Sequence, residues 1–212
     1  MPTLKIAKLD GGNAFGASGR SMAPSSVASE HISIMDQYDL TAESLKSFNV
    51  LLVTDFIDQE YLFEQKDVIL DFLNAGNIVV ACTHMCRPWL PNVNLFMPKE
   101  IRKHSDYEVT PTETPEFFAG VDMQELAYRK GVSGFYARGY HPVPVKDAQV
   151  ILTFLDGTPI TVIDRSSTNG TIVAHSARDL TSYATGANTT QLISKQFRVW
   201  LENELTRLEE AK

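Results

Sequence analysis

Two nearly continuous apolar runs, Asn49–Thr54 (NVLLVT) and Asn77–Ala81 (NIVVA), bracket a segment with helical periodicity. No other feature constrains the fold as much. Runs that are apolar at every position suit strands buried on both faces, as in a parallel sheet. Between them Leu62, Ile69, Phe72 and Leu73 fall on one helical face. Asp58 is placed to cap that helix, Glu60 lies near its positive end, and Gly76 ends it. Upstream, Leu4–Leu9 (LKIAKL) alternates as a first strand, His31–Met35 (HISIM) is a short strand, and Thr41–Phe48 opens with a helix-start pattern. Parallel neighbours need crossovers, and right-handed crossovers place helices on the sheet faces. The strand carboxyl ends then gather on one edge, where Asp10–Gly12, Asp55 and Cys82–His84 are expected.

The second half is less regular at first. Residues 88–145 hold seven prolines and little periodicity. Short strands are expected at 108–110 and 134–137, and turns or a helix at 116–121 and 123–128. The segment reads as an irregular insertion beside the sheet, either functional or a contact between copies. Regularity returns with Gln149–Leu155, the turn Asp156–Gly157 and Pro159–Ile163, a hairpin signal. Thr171–His175 (TIVAH) is a further strand. A terminal helix from Thr189 or Thr190 would pack Leu192, Ile193, Phe197, Trp200, Leu201, Leu205 and Leu208 on the sheet. The fold expected is α/β: a three-layer sandwich with a mostly parallel central sheet and an antiparallel hairpin in its second half. One domain is expected over residues 1–212.

Composition narrows the partners. At a net charge of −7 with no basic run, a broad nucleic-acid or anionic-membrane surface is not expected. No apolar run approaches the ~18 residues that span a bilayer. The first twenty residues lack a secretory pattern, and two cysteines four apart make a poor disulfide framework, so a reducing cytoplasm is the default.

The chemistry concentrates at Cys82-Thr83-His84-Met85-Cys86, which directly follows a buried strand. If extended, Cys82 and His84 point to one face and a thiol–imidazole pair can form. Otherwise Cys82 is a small buried hydrophobe. Cys82, His84, Cys86 and His175 are four soft ligands, but C-x-H-x-C is not a usual zinc spacing, so no metal is assigned. Arg178, after His175, could bind a carboxylate or phosphate bidentately with Asp179 orienting it, or these polar residues simply cap the next segment. Arg138, in GFYARGYHP, either lines the same cleft or belongs to a packed tyrosine-rich turn. Asp10–Arg20 holds four glycines, Gly11 and Gly12 first, and is either a flexible loop over the sheet edge or a wall of the site. It fits neither G-x-G-x-x-G nor the phosphate-loop pattern, so no cofactor is assigned.

Four stretches carry a family resemblance: NVLLVTDFIDQE, the helix into AGNIVVACTHM, QVILTFLDGTPITVIDR, and NGTIVAHSARDL before a helix containing Trp200. The chain resembles the class I glutamine amidotransferase-like superfamily, with its flavodoxin-like sheet, and within it the divergent ThuA-like branch. The resemblance implies a cysteine nucleophile at Cys82, a histidine at His175 and an acid at Asp179; the two-residue spacing from Cys82 separately makes His84 a second candidate base. Several positions depart from that pattern. Val80 and His84 flank Cys82 where small residues are expected. Ala177 stands where glutamate follows the histidine, and Asp55-Phe56 replace the paired glycines of the oxyanion loop. These departures argue against glutamine hydrolysis.

The function expected is therefore a non-amidotransferase binding or accessory protein. It would hold a small polar or anionic molecule, or a protein partner, with Gly11, Gly12, Asp55, Arg138 and Arg178 as ligand contacts. Homo-oligomerisation stays open. A cysteine hydrolase or acyl-transfer enzyme using Cys82 with His175 or His84 is the alternative. A metal-dependent, carbohydrate-related ThuA-like enzyme is the third. Whether the chain is an enzyme stays open at this level.

Overall fold

The computed structural model describes residues 2–12, 31–129, 132–143, 147–183 and 187–211. Most of the glycine-rich loop and all of 21–30 lie outside the described residues.

Chain order begins β1 (Ile6–Asp10), β2 (Ile32–Asp36), α1 (Ala42–Leu45), β3 (Val50–Val53), α2 (Gln59–Glu64), α3 (Lys66–Asn74) and β4 (Ile78–Cys82). The helix expected after β3 is two helices. Gln65, at φ −90° and ψ 10°, separates them, and no glycine or proline announces the break. Asp58 caps α2 by accepting from the Glu60 and Tyr61 amides at 3.0 and 3.2 Å. Thr41 and Ser44 form a reciprocal capping box on α1.

Next come β5 (Met97–Pro98), β6 (Val109–Pro111), α4 (Met123–Ala127), β7 (Tyr128–Arg129), β8 (Val132–Ser133) and β9 (Gly139–Tyr140). The strand expected at 134–137 is instead a bend. Gly134 has φ 80° and lies against the Tyr107 ring, which stops extended pairing, and only Ala137 makes a bridge, to Ala177. The chain closes with β10 (Gln149–Phe154), β11 (Pro159–Asp164), β12 (Thr171–His175) and α5 (Gln191–Glu210).

Eight strands form one mixed sheet in the order β2-β1-β3-β4-β12-β11-β10-β6. The run β2, β1, β3, β4, β12 is parallel, and β11, β10 and β6 add antiparallel neighbours. The expected hairpin is β10–β11, turning at Gly157 with φ 84°, where a side chain would be strained. The irregular segment does more than lie beside the sheet, because its β6 completes the edge. Alternation sorts the strands onto two faces. Val50, Leu52, Ile78, Val80, Cys82 and Val173 pack toward α5, against Ile193, Phe197 and Leu201. Leu51, Val53, Val79, Ala81, Ile172 and Ala174 pack toward α2 and α3, against Leu62, Ile69 and Leu73. The result is three layers, with Asp10, Val53, Cys82 and His175 ending parallel strands on one edge. Among the described residues no helix is long and apolar enough to cross a membrane.

Candidate functional site

β4 and β12 run in register, so His175 is the direct partner of Cys82, and both are fully buried. They do not interact as nucleophile and base. The His175 Nε2–H donates to the Arg178 carbonyl at 3.1 Å. A carbonyl only accepts, so Nε2 carries the proton and Nδ1 accepts from the Thr161 hydroxyl at 2.7 Å. Both ring nitrogens are thereby committed. Burial holds the His175 pKa down at about 3, against the hydrogen bond it donates to the Arg178 carbonyl and the attraction of Asp179, so the ring is neutral.

Burial likewise pushes the Cys82 thiol well above its ordinary value, and the Asp179 carboxylate adds to this, while the Leu180 amide and Lys8 pull the other way. A buried, protonated thiol is a poor nucleophile. No helix starts after Cys82: Thr83–Pro88 is irregular, so no helix amino end lowers its pKa.

Asp179 makes its hydrogen bonds to other groups than His175. It pairs with Lys8 Nζ at 2.6 Å, both side chains 14% exposed, and its other oxygen accepts from the amide and hydroxyl of Thr181. Lys8 comes from β1 and Asp179 follows β12, so the ion pair reaches across β3 and β4 at this edge. Asp55, after β3, also lies here. Desolvation raises its carboxyl, opposed by His84 and by hydrogen bonds from Thr83 and the His84 amide. The next residue, Phe56, holds φ 65°, so the backbone keeps a left-handed turn where the resemblance calls for glycine.

His84 is exposed and stacks on Phe96 with centroids 3.8 Å apart. Its carbonyl accepts from Gln59 Nε2 at 2.8 Å, while Gln59 Oε1 accepts from the Cys86 amide at 2.8 Å and from Trp89 Nε1 at 3.3 Å. One side chain on α2 therefore shapes the loop after Cys82. Arg87 pairs with Glu60. Cys86 is exposed while Cys82 is buried. Among the described residues no group of three or more His, Cys, Asp or Glu is arranged to hold a metal ion.

The remaining candidates are spread around this edge. Gly12, at φ 69°, donates its amide to Asp10 Oδ1 at 3.1 Å. Gly11 lies beside it, half-buried. Arg178 donates to Ser182 Oγ at 3.0 Å and lies 5.5 Å over the Tyr183 ring. Arg138 is exposed and donates back to the Gly134 carbonyl at 2.7 Å. The edge thus gathers Lys8, Asp55, Cys82 and Asp179, and leaves Arg138 in its own turn. Sequence reading missed Lys8, Gln59 and Thr161. Lys8 sits at a polar position of an alternating strand and looks solvent-facing. Thr161 and Gln59 carry no motif at all.

No family model matches the chain, and no curated protein matches its sequence. Among solved structures, a GMP synthase-type protein of Thermoplasma acidophilum aligns over 100% of both chains, with a TM-score of 0.60 and 11% identity. A β-galactosidase from Rahnella sp. R3 aligns over 97% of this chain with a TM-score of 0.52 and 15% identity. The present chain spans only 32% of that enzyme. At these identities the likeness concerns the fold. It is the glutamine amidotransferase-like α/β fold that the four sequence stretches imply.

Proposed function

We propose that this chain is a binding or accessory protein, not a glutamine amidotransferase, and that it holds a small polar or anionic ligand or a protein partner at the carboxyl edge of the sheet. One observation carries this reading. The edge gathers the mostly buried Lys8–Asp179 ion pair with exposed Asp55 and His84, while Cys82 is buried and both ring nitrogens of its register partner His175 are bonded elsewhere. A few polar side chains gathered outside the carboxyl ends of parallel strands suit ligand binding. Within the superfamily whose fold it shares, the nearest branch on this reading is the ThuA-like one, on the four stretches quoted above. The chain is taken as one unit, with 88–145 as its elaboration.

A cysteine hydrolase is the second reading. The register pairing of Cys82 with His175 favours it, and the commitment of both ring nitrogens opposes it.

Thermal unfolding with inorganic phosphate or succinate present tests the binding reading. A Tm increase that saturates with concentration and is lost in Lys8→Met is expected. Ammonia release from glutamine, or hydrolysis of p-nitrophenyl acetate that disappears in Cys82→Ala, would overturn it.

A further inference from the structure

His141 is 3% exposed and sits between two main-chain oxygens. Nδ1 lies 3.0 Å from the Asn94 carbonyl, and Nε2 lies 3.1 Å from the Thr83 carbonyl. Carbonyl oxygens only accept, and a neutral imidazole has a single N–H. The neutral ring therefore bonds one of the two segments and turns a lone pair toward the other. The imidazolium bonds both. We propose that His141 is a proton-operated latch joining the 139–142 segment to the residue after Cys82 and to Asn94.

The surroundings make the latch matter to the site. Thr83 lies between Cys82 and His84. Phe96 stacks on His84, meets the His141 ring edge-on at 5.9 Å, and donates its amide to the Met85 carbonyl at 2.8 Å. Asn94 Nδ2 donates to the Pro142 carbonyl at 3.1 Å, so the same segments are already tied once without the ring. Closing the second imidazole bond fixes the wall that presents His84 and lies beside Asp55.

The groups facing the ring set the sign of the response. His84, on the loop after β4, disfavours charge on the His141 ring, and His175 on β12 is coupled to it with the same sign. Asp164 on β11 lines the cavity beside the ring, and one of its carboxylate oxygens is buried without a hydrogen-bond partner. Residues 92–96 contribute no charge. Burial is the largest influence and lowers the His141 pKa, against the two carbonyls, which raise it. The ring is thus neutral at neutral pH and the latch is half made. As pH falls through the folded-state value the second bond forms. The unfolded chain takes up this proton more readily, so the fold as a whole loses stability while the loop tightens.

The test follows the His141 ring nitrogens by long-range proton–nitrogen correlation from about pH 8 to about pH 4. Amide exchange at 83–87 and 94–97, corrected for its intrinsic pH dependence, is read in the same samples. The expected result is exchange slowing by about threefold to tenfold, the factor one net hydrogen bond supplies, along the ring's own titration curve. His141→Phe should lose the slowing. His141→Gln, whose side-chain amide has two N–H donors at every pH, should show none of the pH dependence. Exchange that ignores the ring titration, or equal slowing in His141→Phe, would overturn the proposal. Should His141→Phe fail to fold, the wild-type co-titration decides alone.

Discussion

Cys82 and His175 are register partners on adjacent parallel strands, and among the described residues no hydrogen bond joins them. Thr161, across the sheet on β11, holds the imidazole instead. The His175 pKa, about 3 against an ordinary 6.5, lies below its unfolded value. Its stabilising contribution is therefore present above pH 6.5 and is lost as pH falls from there through about 3, by roughly 4–5 kcal/mol in full. An NMR titration should show no His175 inflection between about pH 5 and 8. Thr161→Val, which leaves Nδ1 unpartnered, should cost about 1–3 kcal/mol in urea unfolding.

The Lys8–Asp179 pair bridges the carboxyl edge with both side chains 14% exposed. Removing one partner leaves a mostly buried charge uncompensated. Asp179→Asn should cost about 1–3 kcal/mol, less than a fully buried pair because some solvent reaches it. Lys8→Met with Asp179→Asn should recover part of that loss. A double-mutant cycle by urea unfolding checks the coupling, which should exceed about 0.5 kcal/mol.

Much of this was legible from residues, for a physical reason. Val50–Val53, Ile78–Cys82 and Thr171–His175 are strands buried on both faces, and such strands leave apolar runs with no alternation. Asp58 and Gly157 declare a cap and a turn by their own chemistry. Lys8 declares nothing, because its burial is made by Asp179, 171 residues away. The break at Gln65 and the pairing of Val109–Pro111 with β10 are equally tertiary. The histidine that ends β12 was legible as a strand end, but its hydrogen-bond partner was not. Asp179 follows it closely in sequence, whereas Thr161 reaches it only through the β11–β12 register.

Gly139 is fixed by close approach, not by its backbone angles. A Cβ there would lie 2.3 Å from the Met97 carbonyl oxygen and 2.3 Å from the Phe96 ring. Gly139→Ala should cost about 1–3 kcal/mol by overpacking. It should also move Phe96 off His84, read as a loss of the ring-current shift on the His84 imidazole protons.

Glu204 ties α5 to the strand that carries His175. It is 4% exposed and accepts from Arg165 at 2.9 Å, Arg207 at 2.7 Å and Thr171 Oγ1 at 2.6 Å. Burial alone would raise its carboxyl, but these hydrogen bonds outweigh it and hold the pKa below 4.5. The stability it supplies is present above pH 4.5 and is lost as pH falls through the folded value. Glu204→Ala, which strands two guanidinium groups, should cost about 2–4 kcal/mol in urea unfolding.

Alkylation of the native protein with iodoacetamide below about pH 8.5, with each cysteine quantified by peptide mass, tests most directly whether the edge is a binding site or a nucleophile site. Cys86 is exposed and Cys82 is buried with a raised pKa, so Cys86 should label first and Cys82 should react only on unfolding. Rapid labelling of Cys82 in the folded protein, ahead of Cys86 and slowed by His175→Ala, would contradict the binding reading and restore the cysteine enzyme.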